Sequence, residues 1–370
     1  MGHVTDFVKE RISTDKLTLA NYVSTENMKS DFGGINPAIS IPNNTNVIHY
    51  KKGDVLLSNI RPYLRKVWAA NSDGGCSTDV FVFRAKSISP SFLHYIMAND
   101  TFINYVMSGA KGVKMPRGDK EQMLKYVFSI PRIEEQYKIS RLLHLLDDRI
   151  ATQNKIIEKY ESLIQAICNT LIEAEQPKVE LSFNDFGEPY SGLSGKSSED
   201  FGKGCQYITY MNVYQNQIID ITDVGFVKIN ETEQQSVVRY GDILFTLSSE
   251  TPNEVGMGAV YLGDTYPLYL NSFCFGVHII DESKIFPPFL AYYISTKSFR
   301  KAVFPLAQGS TRFNLQKSDF MKKKFLFPTV EKQNKIYSVL KAYSDKLSIE
   351  KNIANLLCEQ KSYLLRQLFI

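Results

Sequence analysis

Long apolar runs are missing from this 370-residue sequence. Nothing in it approaches a membrane span, and its N-terminus lacks the apolar stretch of a signal peptide. Cysteine is scarce. Cys76, Cys168, Cys205, Cys274 and Cys358 stand alone with no Cys-x-x-Cys, which argues against a disulfide framework or a zinc site and for free thiols in a reducing cytoplasm. The five histidines, His3, His49, His94, His144 and His278, are scattered without ligand spacing, so no metal is expected. A surplus of one charge is lacking as well. With 43 Lys and Arg against 39 Asp and Glu, the net charge of +4 permits nucleic-acid binding without arguing for it. What remains is a globular composition, 44% hydrophobic and 22% charged, in a chain long enough for two domains.

What the sequence does contain, it contains twice. Pro131-Arg-Ile-Glu-Glu-Gln-Tyr-Lys-Ile139 returns as Pro328-Thr-Val-Glu-Lys-Gln-Asn-Lys-Ile336 at an offset of 197. At the same offset Asp148 meets Asp345 and Leu171 meets Leu368, without a gap. Each block reads as a helix. Pro131 suits the helix start, where its missing N–H costs nothing, and Glu134 and Glu135 suit the first turn. Apolar residues then step by four and three through Ile139, Leu143, Leu146, Ile150, Ile157, Tyr160, Ile164, Ile167 and Leu171, with Gln153 the one polar member. The second copy keeps Ile336, Leu340, Tyr343, Leu347, Leu357, Leu364 and Leu368, with Glu350 in place of Gln153 and Lys361 in place of Ile164. A 3.5-residue period held over roughly 50 Å of helix predicts a coiled-coil pair. Two amphipathic helices in one ordinary core are the alternative.

The segments around the helices repeat too. The expected order is a first domain over 1–130, a central helix over 131–175, a second domain over 176–327 and a C-terminal helix over 328–370. In the first domain a turn at Lys51-Lys-Gly-Asp54 feeds a strand, Lys66–Ala70 and Val80–Phe83 read as further strands, and Asp73–Asp79 reads as the loop between them. Pro90 opens a helix continuing through Val106, and Tyr126–Ile130 reads as a closing strand. In the second domain Tyr207–Val213 resembles Tyr22–Met28, Arg239–Phe245 matches Lys51–Leu57, and Phe325–Phe327 closes the unit. The fold class expected is α+β, with two pseudo-repeated mixed units joined by two long helices in an antiparallel coiled coil. A shared scaffold with divergent loops fits two binding modules with different targets; it equally fits an old duplication drifting at its surface.

Three fragments suggest catalysis and fall short. Gly195-Lys196-Ser197 is the tail of a phosphate-binding loop, but Tyr190 stands where the leading glycine belongs. Phe286-Pro-Pro-Phe289 resembles the Pro-Pro-Phe of amino-methyltransferases, but Phe286 replaces the residue that must accept the amino hydrogens. Gly202 and Gly204 form a lone glycine pair in a polar loop. No nucleophile–base arrangement is found.

The polar loops point to DNA instead. The first unit offers Ser24, Thr25 and Asn27, then Asn59, Arg61, Tyr63 and Lys66, then Ser77 and Thr78, and after its helix Lys111, Lys114 and Arg117. The second offers Thr209, Tyr210 and Asn212, then Ser248 and Ser249, then Asn271 and Ser272, and after its helix Ser310, Thr311, Arg312 and Asn314. Arginine and amide side chains can read base edges, and hydroxyls and cations can hold phosphates. The inference rests on equivalent loops being polar in both copies.

In order and duplicated, these pieces resemble the specificity subunit of type I restriction-modification enzymes over essentially the whole chain. The matching pieces are the two Pro-x-x-Glu-x-Gln-x-Lys-Ile blocks with Asp148 and Asp345, the Gly-Asp-x-Leu turns at Gly53 and Gly241, and Gly309-Ser-Thr-x-x-x-Leu315. The first copy departs from the last pattern, reading Gly112-Val-Lys-Met-Pro-Arg-Gly118. The resemblance implies a non-catalytic DNA reader in a prokaryotic cytoplasm. Its partners would be double-stranded DNA, two adenine-methylating modification subunits and, in the full complex, restriction and translocase subunits. The chain itself would need no cofactor, S-adenosylmethionine belonging to the modification partner. A fused methyltransferase–specificity enzyme and a solitary specificity protein are the alternatives.

Overall fold

A computed structural model of the chain describes residues 1–369. The chain divides into two units, residues 1–155 with the C-terminal residues from Lys351 onward, and residues 156–350. The first contains β1 (Thr5–Phe7), β2 (Arg11–Ser13), β3 (Tyr22–Val23), β4 (Asn46–Tyr50), β5 (Val55–Ser58), β6 (Val67–Ala69), β7 (Gly74–Cys76) and β8 (Val80–Ala85). Helices α1 (Pro90–Met97), α2 (Asp100–Ser108) and α3 (Lys120–Leu124) follow, and then the long α4 (Ile133–Ala174). One sheet has the order β1-β8-β5-β6, all antiparallel; the other is β2-β4-β7-β3, in which β3 and β7 run parallel.

The second unit repeats this plan with β9 (Lys178–Ser182), β10 (Gly187–Ser191), β11 (Phe201–Ile208), α5 (Tyr210–Gln215), β12 (Val224–Val227), β13 (Ile243–Thr246) and β14 (Ser248–Ser249). Next come β15 (Gly258–Val260), β16 (Tyr269–Leu270), β17 (Cys274–Ile279), α6 (Pro287–Tyr293), α7 (Lys297–Val303), β18 (Ala307–Gln308) and β19 (Phe313–Leu315). The chain ends with α8 (Lys317–Lys322), β20 (Lys324–Pro328) and the long α9 (Val330–Leu368). The sheet β10-β17-β13-β15 mirrors β1-β8-β5-β6, and β11 pairs parallel with β16 as β3 does with β7.

The central strands are buried on both faces because successive side chains alternate. Val55 and Leu57 pack with Phe92 and Ile96 of α1, whereas Leu56 packs on the other side with Tyr50 and Val82. Ile243, Leu244 and Phe245 do the same in the second unit. The turn feeding each strand is built alike. Gly53 (φ +90°) and Gly241 (φ +85°) occupy left-handed backbone, which glycine adopts without strain. The aspartate after each glycine closes the turn: Asp54 accepts from Lys51 N–H and Asp242 from Arg239 N–H, both at 2.8 Å.

Within each unit the long helices lie together with opposite chain direction. In the first, Leu143 and Leu365 are buried with Tyr95, and Asp147 receives the Tyr95 hydroxyl at 2.8 Å and the Lys361 ammonium at 2.5 Å. In the second, Ile164, Cys168 and Ile172 share a core with Ile336 and Leu340, and Lys332 pairs with Glu175. Of the expected seam, Leu143, Ile164, Ile336 and Leu340 are buried, and Ile139, Leu146, Ile150, Ile157, Leu347, Leu357 and Leu364 are half-buried.

The motif glutamines join each helix to its unit. The Gln136 amide donates to Pro131 O at 2.9 Å and accepts from Ser89 N–H, at the start of α1, at 2.8 Å. Gln333 donates to Pro328 O and accepts from Phe286 N–H, at the start of α6, both at 2.8 Å. Phe286-Pro-Pro-Phe289 is therefore a helix start.

Three expectations are corrected. Asp73–Asp79 contains strand β7, whose paired glycines leave room for Tyr50 and Val47 to pack against it. The helix from Pro90 is two helices, because Asn99 leaves helical geometry to cap α2 through Thr101 N–H. Tyr126–Ile130 is not a strand, since among the described residues of its unit no neighbour pairs with it, whereas β20 has β9 beside it.

Replacing Gln333 by alanine should leave the half-buried Phe286 N–H unpaired and destabilise its unit by about 1–3 kcal/mol, and Gln136→Ala should do the same to the other unit through the buried Ser89 N–H. Urea denaturation followed by hydrogen exchange, unit by unit, checks this; two variants indistinguishable from the parent would refute the bridging role.

Candidate nucleic-acid interface

In the first unit, stretches far apart in sequence meet beyond the end of β5. Arg61 N–H donates to Pro116 O at 2.8 Å, and Gly118 N–H donates to Asn59 O at 3.2 Å. Lys111 and Arg117 bridge across a turn that begins with Gly112 (φ +97°). Asn59 N–H bonds Asp79 O at 2.8 Å and the Arg117 guanidinium lies 3.3 Å from the Asp79 carboxylate, which brings in Ser77 and Thr78. The Lys66 ammonium donates to Thr25 O at 2.6 Å and holds the Ser24–Asn27 loop alongside. Arg61, Tyr63, Thr78, Lys111, Lys114 and Arg117 are exposed on this surface. Arg61 sits in the left-handed region (φ 51°, ψ 63°), which costs a non-glycine residue about 1–2 kcal/mol. The Arg61 N–H bond to Pro116 O helps to hold that backbone in place.

The second unit builds the equivalent surface from a small sheet. Ser248 and Ser249 pair with Asn314 and Phe313, and β18 and β19 form the hairpin that carries Ser310, Thr311 and Arg312. The Tyr210 hydroxyl donates to Ser248 O at 2.7 Å, and Asn271 N–H donates to Ile208 O at 3.0 Å. The rings of Tyr210 and Tyr214 stack with centroids 5.9 Å apart. With Met211, Phe273, Glu250 and Arg312 they line a cavity of about 350 Å³. Ser272, Ser310, Thr311, Arg312 and Asn314 are exposed, and Thr209, Tyr210 and Asn271 are half-buried.

Several expected contact residues turn out to hold the loops. Asn27 is buried: its Oδ1 accepts from Ser24 N–H at 2.6 Å, and its Nδ2 donates to Tyr22 O and Asn36 O. Asn212 is fully buried, donating to Asp220 O and Asp223 O and accepting from Asp220 N–H and the Asn216 amide. Neither amide is free for a base. Ser248 and Ser249 are buried, and the Ser249 hydroxyl donates to Thr251 O at 2.6 Å. Thr209 caps α5 through Asn212 N–H. Asn59 is also buried. Lys111 pairs with Asp119 at 2.9 Å, and that bond holds the Asp119 carboxyl below the usual carboxylate range, helped by the Gln122 N–H. Lys196 of the Gly-Lys-Ser fragment is drawn inward to Lys228 O and Glu233. Met211, Tyr214, Glu250 and Phe273 join this surface without being among the expected contacts, since Met211 and Phe273 have the residue types of a core.

A family model for the type I restriction modification DNA specificity domain matches residues 9–162 and again 193–359. The chain belongs to that family. Such specificity subunits are the non-catalytic members of their systems. The chain is 30% identical to the type I restriction enzyme EcoDI specificity subunit of Escherichia coli over 119 residues, 31% of this chain and 27% of that protein. It is 24% identical to the type I restriction enzyme MjaVIII specificity subunit of Methanocaldococcus jannaschii over 293 residues, 74% of this chain and 65% of that protein. It thus spans less than two thirds of either relative's length. A chain solved in work on complex assembly and conformational transition of the type I R-M system shares its fold, with a TM-score of 0.60 and 18% identity over 99% of this chain and 95% of that one. No helix among the described residues is long and apolar enough to cross a membrane.

Asn212→Ala should destabilise the second unit by about 1–3 kcal/mol, because it removes a buried amide that ties the backbone at Asp220 and Asp223 together. At temperatures where it stays folded, base preference should be unchanged. Denaturation paired with binding to single-base variants of the target checks both; a changed preference at full stability would return Asn212 to the contact surface.

Proposed function

We propose that this chain is the sequence reader of a type I restriction-modification system. Each unit reads one half of a split site in double-stranded DNA. The chain docks two adenine-methylating modification subunits, and restriction and translocase subunits join in the full complex. S-adenosylmethionine is bound by the modification partner, which flips the target adenine out of the stack; this chain supplies address and geometry.

The observation that carries this reading is that one surface is built twice on one scaffold with different side chains. In both units the segment after the central strand bonds the turn that follows the second short helix. One unit presents Arg61, Lys114 and Arg117 there, the other Arg312, Asn314 and aromatic rings. Docking is supported by exposed apolar residues on the long helices, Leu142, Leu145, Leu356 and Tyr363 in the first unit and Val339 and Ile349 in the second. The helices, 42 and 39 residues long, suit a spacer between half-sites.

Exchanging residues 1–130 for the equivalent unit of another family member should change one half-site and leave the other intact, as read by mapping methylated adenines. Both half-sites changing together would sink the independent-reader model. Inserting four residues after Gln153, just over one helical turn, should lengthen the spacer and preserve both half-sites; a methylating variant with an unchanged spacer would show that the helices do not set it.

Base reading and phosphate holding are separable in the first unit. Arg61→Ala should blur one position of the half-site at a cost of roughly 1–3 kcal/mol. Lys114→Ala should weaken binding to all sequences alike and flatten the salt dependence by about one unit of slope. Titrations across a salt series, on the cognate site and on single-base variants, tell them apart; identical behaviour would remove Arg61 from base readout and favour the loop after Ser24.

A further inference from the structure

The cavity of the second unit holds a charge that a phosphate-binding surface should not have. Glu250 is exposed on its wall and forms no hydrogen bond or ion pair among the described residues. Nearby Glu254, by contrast, is engaged by the Tyr214 hydroxyl and the Thr251 hydroxyl, both at 2.8 Å. In the first unit's equivalent surface, Asp79 is paired with Arg117 and Asp119 with Lys111. Glu250 is therefore a carboxylate without an ion-pair partner, in a cavity that it shares with Arg312, Tyr210 and the exposed Phe273.

A carboxylate facing DNA is repelled by phosphates and tolerated where it meets a hydrogen donor on a base edge. The major groove offers two amino donors, cytosine N4 and adenine N6. Adenine places the N7 acceptor next to its amino group, so a carboxylate there meets a lone pair, and an amide side chain suits that edge better. Cytosine places no acceptor beside N4. Arginine's forked donors match guanine O6 and N7. We propose that the unit of residues 156–350 recognises a cytosine through Glu250 and a guanine through Arg312, so that its half-site requires G·C pairs where these two side chains reach the groove. This rests on the reading above that the surface faces DNA.

The test uses the full chain with its modification subunits and a DNA library randomised in the half-site of the second unit, with that half-site assigned by exchanging 1–130. The parent should demand cytosine at one position and guanine at another. Glu250→Gln keeps the shape of an exposed side chain; it should lower the preference for cytosine at that one position by about tenfold or more and admit adenine there. Arg312→Ala should relax the guanine position alone. If Glu250→Gln instead tightens binding to every sequence equally, or leaves the profile unchanged, the cytosine assignment is wrong and the DNA-reading role stands. A parent complex with no sequence preference in either half-site would overturn the DNA-reading role itself.

Discussion

Two buried amides hold this architecture in register. A helix start leaves backbone N–H groups without partners, and each unit has two such starts close together, one on a short helix and one on a long helix. Gln136 and Gln333 lie between them, accepting from the short helix and donating back to the carbonyl of the proline that precedes the long one. Both glutamines are almost wholly excluded from solvent, 2% and 0% exposed, so either end left unpaired carries the full desolvation penalty. A second tie lies further along each long helix, Tyr95 to Asp147 and Tyr292 to Ser344. With two fixed points, each long helix has one orientation against its own unit, and hence against the loops that unit carries.

The same economy governs the turn before the central strand. The glycine and the aspartate are kept, but the groups that satisfy the aspartate differ. Asp54 is met by the Arg84 guanidinium at 2.7 Å, whereas Asp242 is met by His278 Nδ1 at 2.9 Å and the Tyr190 hydroxyl at 2.8 Å. A buried carboxylate demands partners without dictating their type. The scaffold can therefore drift in sequence while its backbone stays put, and loops anchored on it can be rewritten at little risk to the core.

How much of this is legible in one dimension follows from the same physics. The long helices announce themselves because a 3.5-residue period over ten turns has no local competitor, and every seam residue from Ile139 to Leu364 is at least half-buried. The central strands are readable from short apolar runs after a Gly-Asp turn. Strand β7 is not, because Gly74 and Gly75 carry no β-propensity and are selected by the side chains that crowd against them. The surface is legible only at the level of loops. A polar residue in a loop can face solvent or hold the loop shut, and Asn27 and Asn212 do the second. Nothing in the sequence marks which backbone carbonyls will come within reach of an amide. Conversely, Met211 and Phe273 read as core residues until their exposure is seen.

The two surfaces differ in the kind of work their charges can do. Lys114 in the first unit is a cation on an exposed loop, suited to displacing counterions from phosphates, a gain nearly blind to sequence and eroded by salt. The second unit sets the exposed Arg312 in one cavity with the Glu250 carboxylate and aromatic rings, so the two charges lining that cavity are of opposite sign. A surface of that kind earns affinity only where donors and acceptors match, and each mismatch leaves a charged group desolvated without a partner. A single chain that must first find DNA and then reject most of it needs both contributions. Duplication supplies two surfaces on one scaffold, and divergence in the loops lets each combine the two contributions in its own proportion.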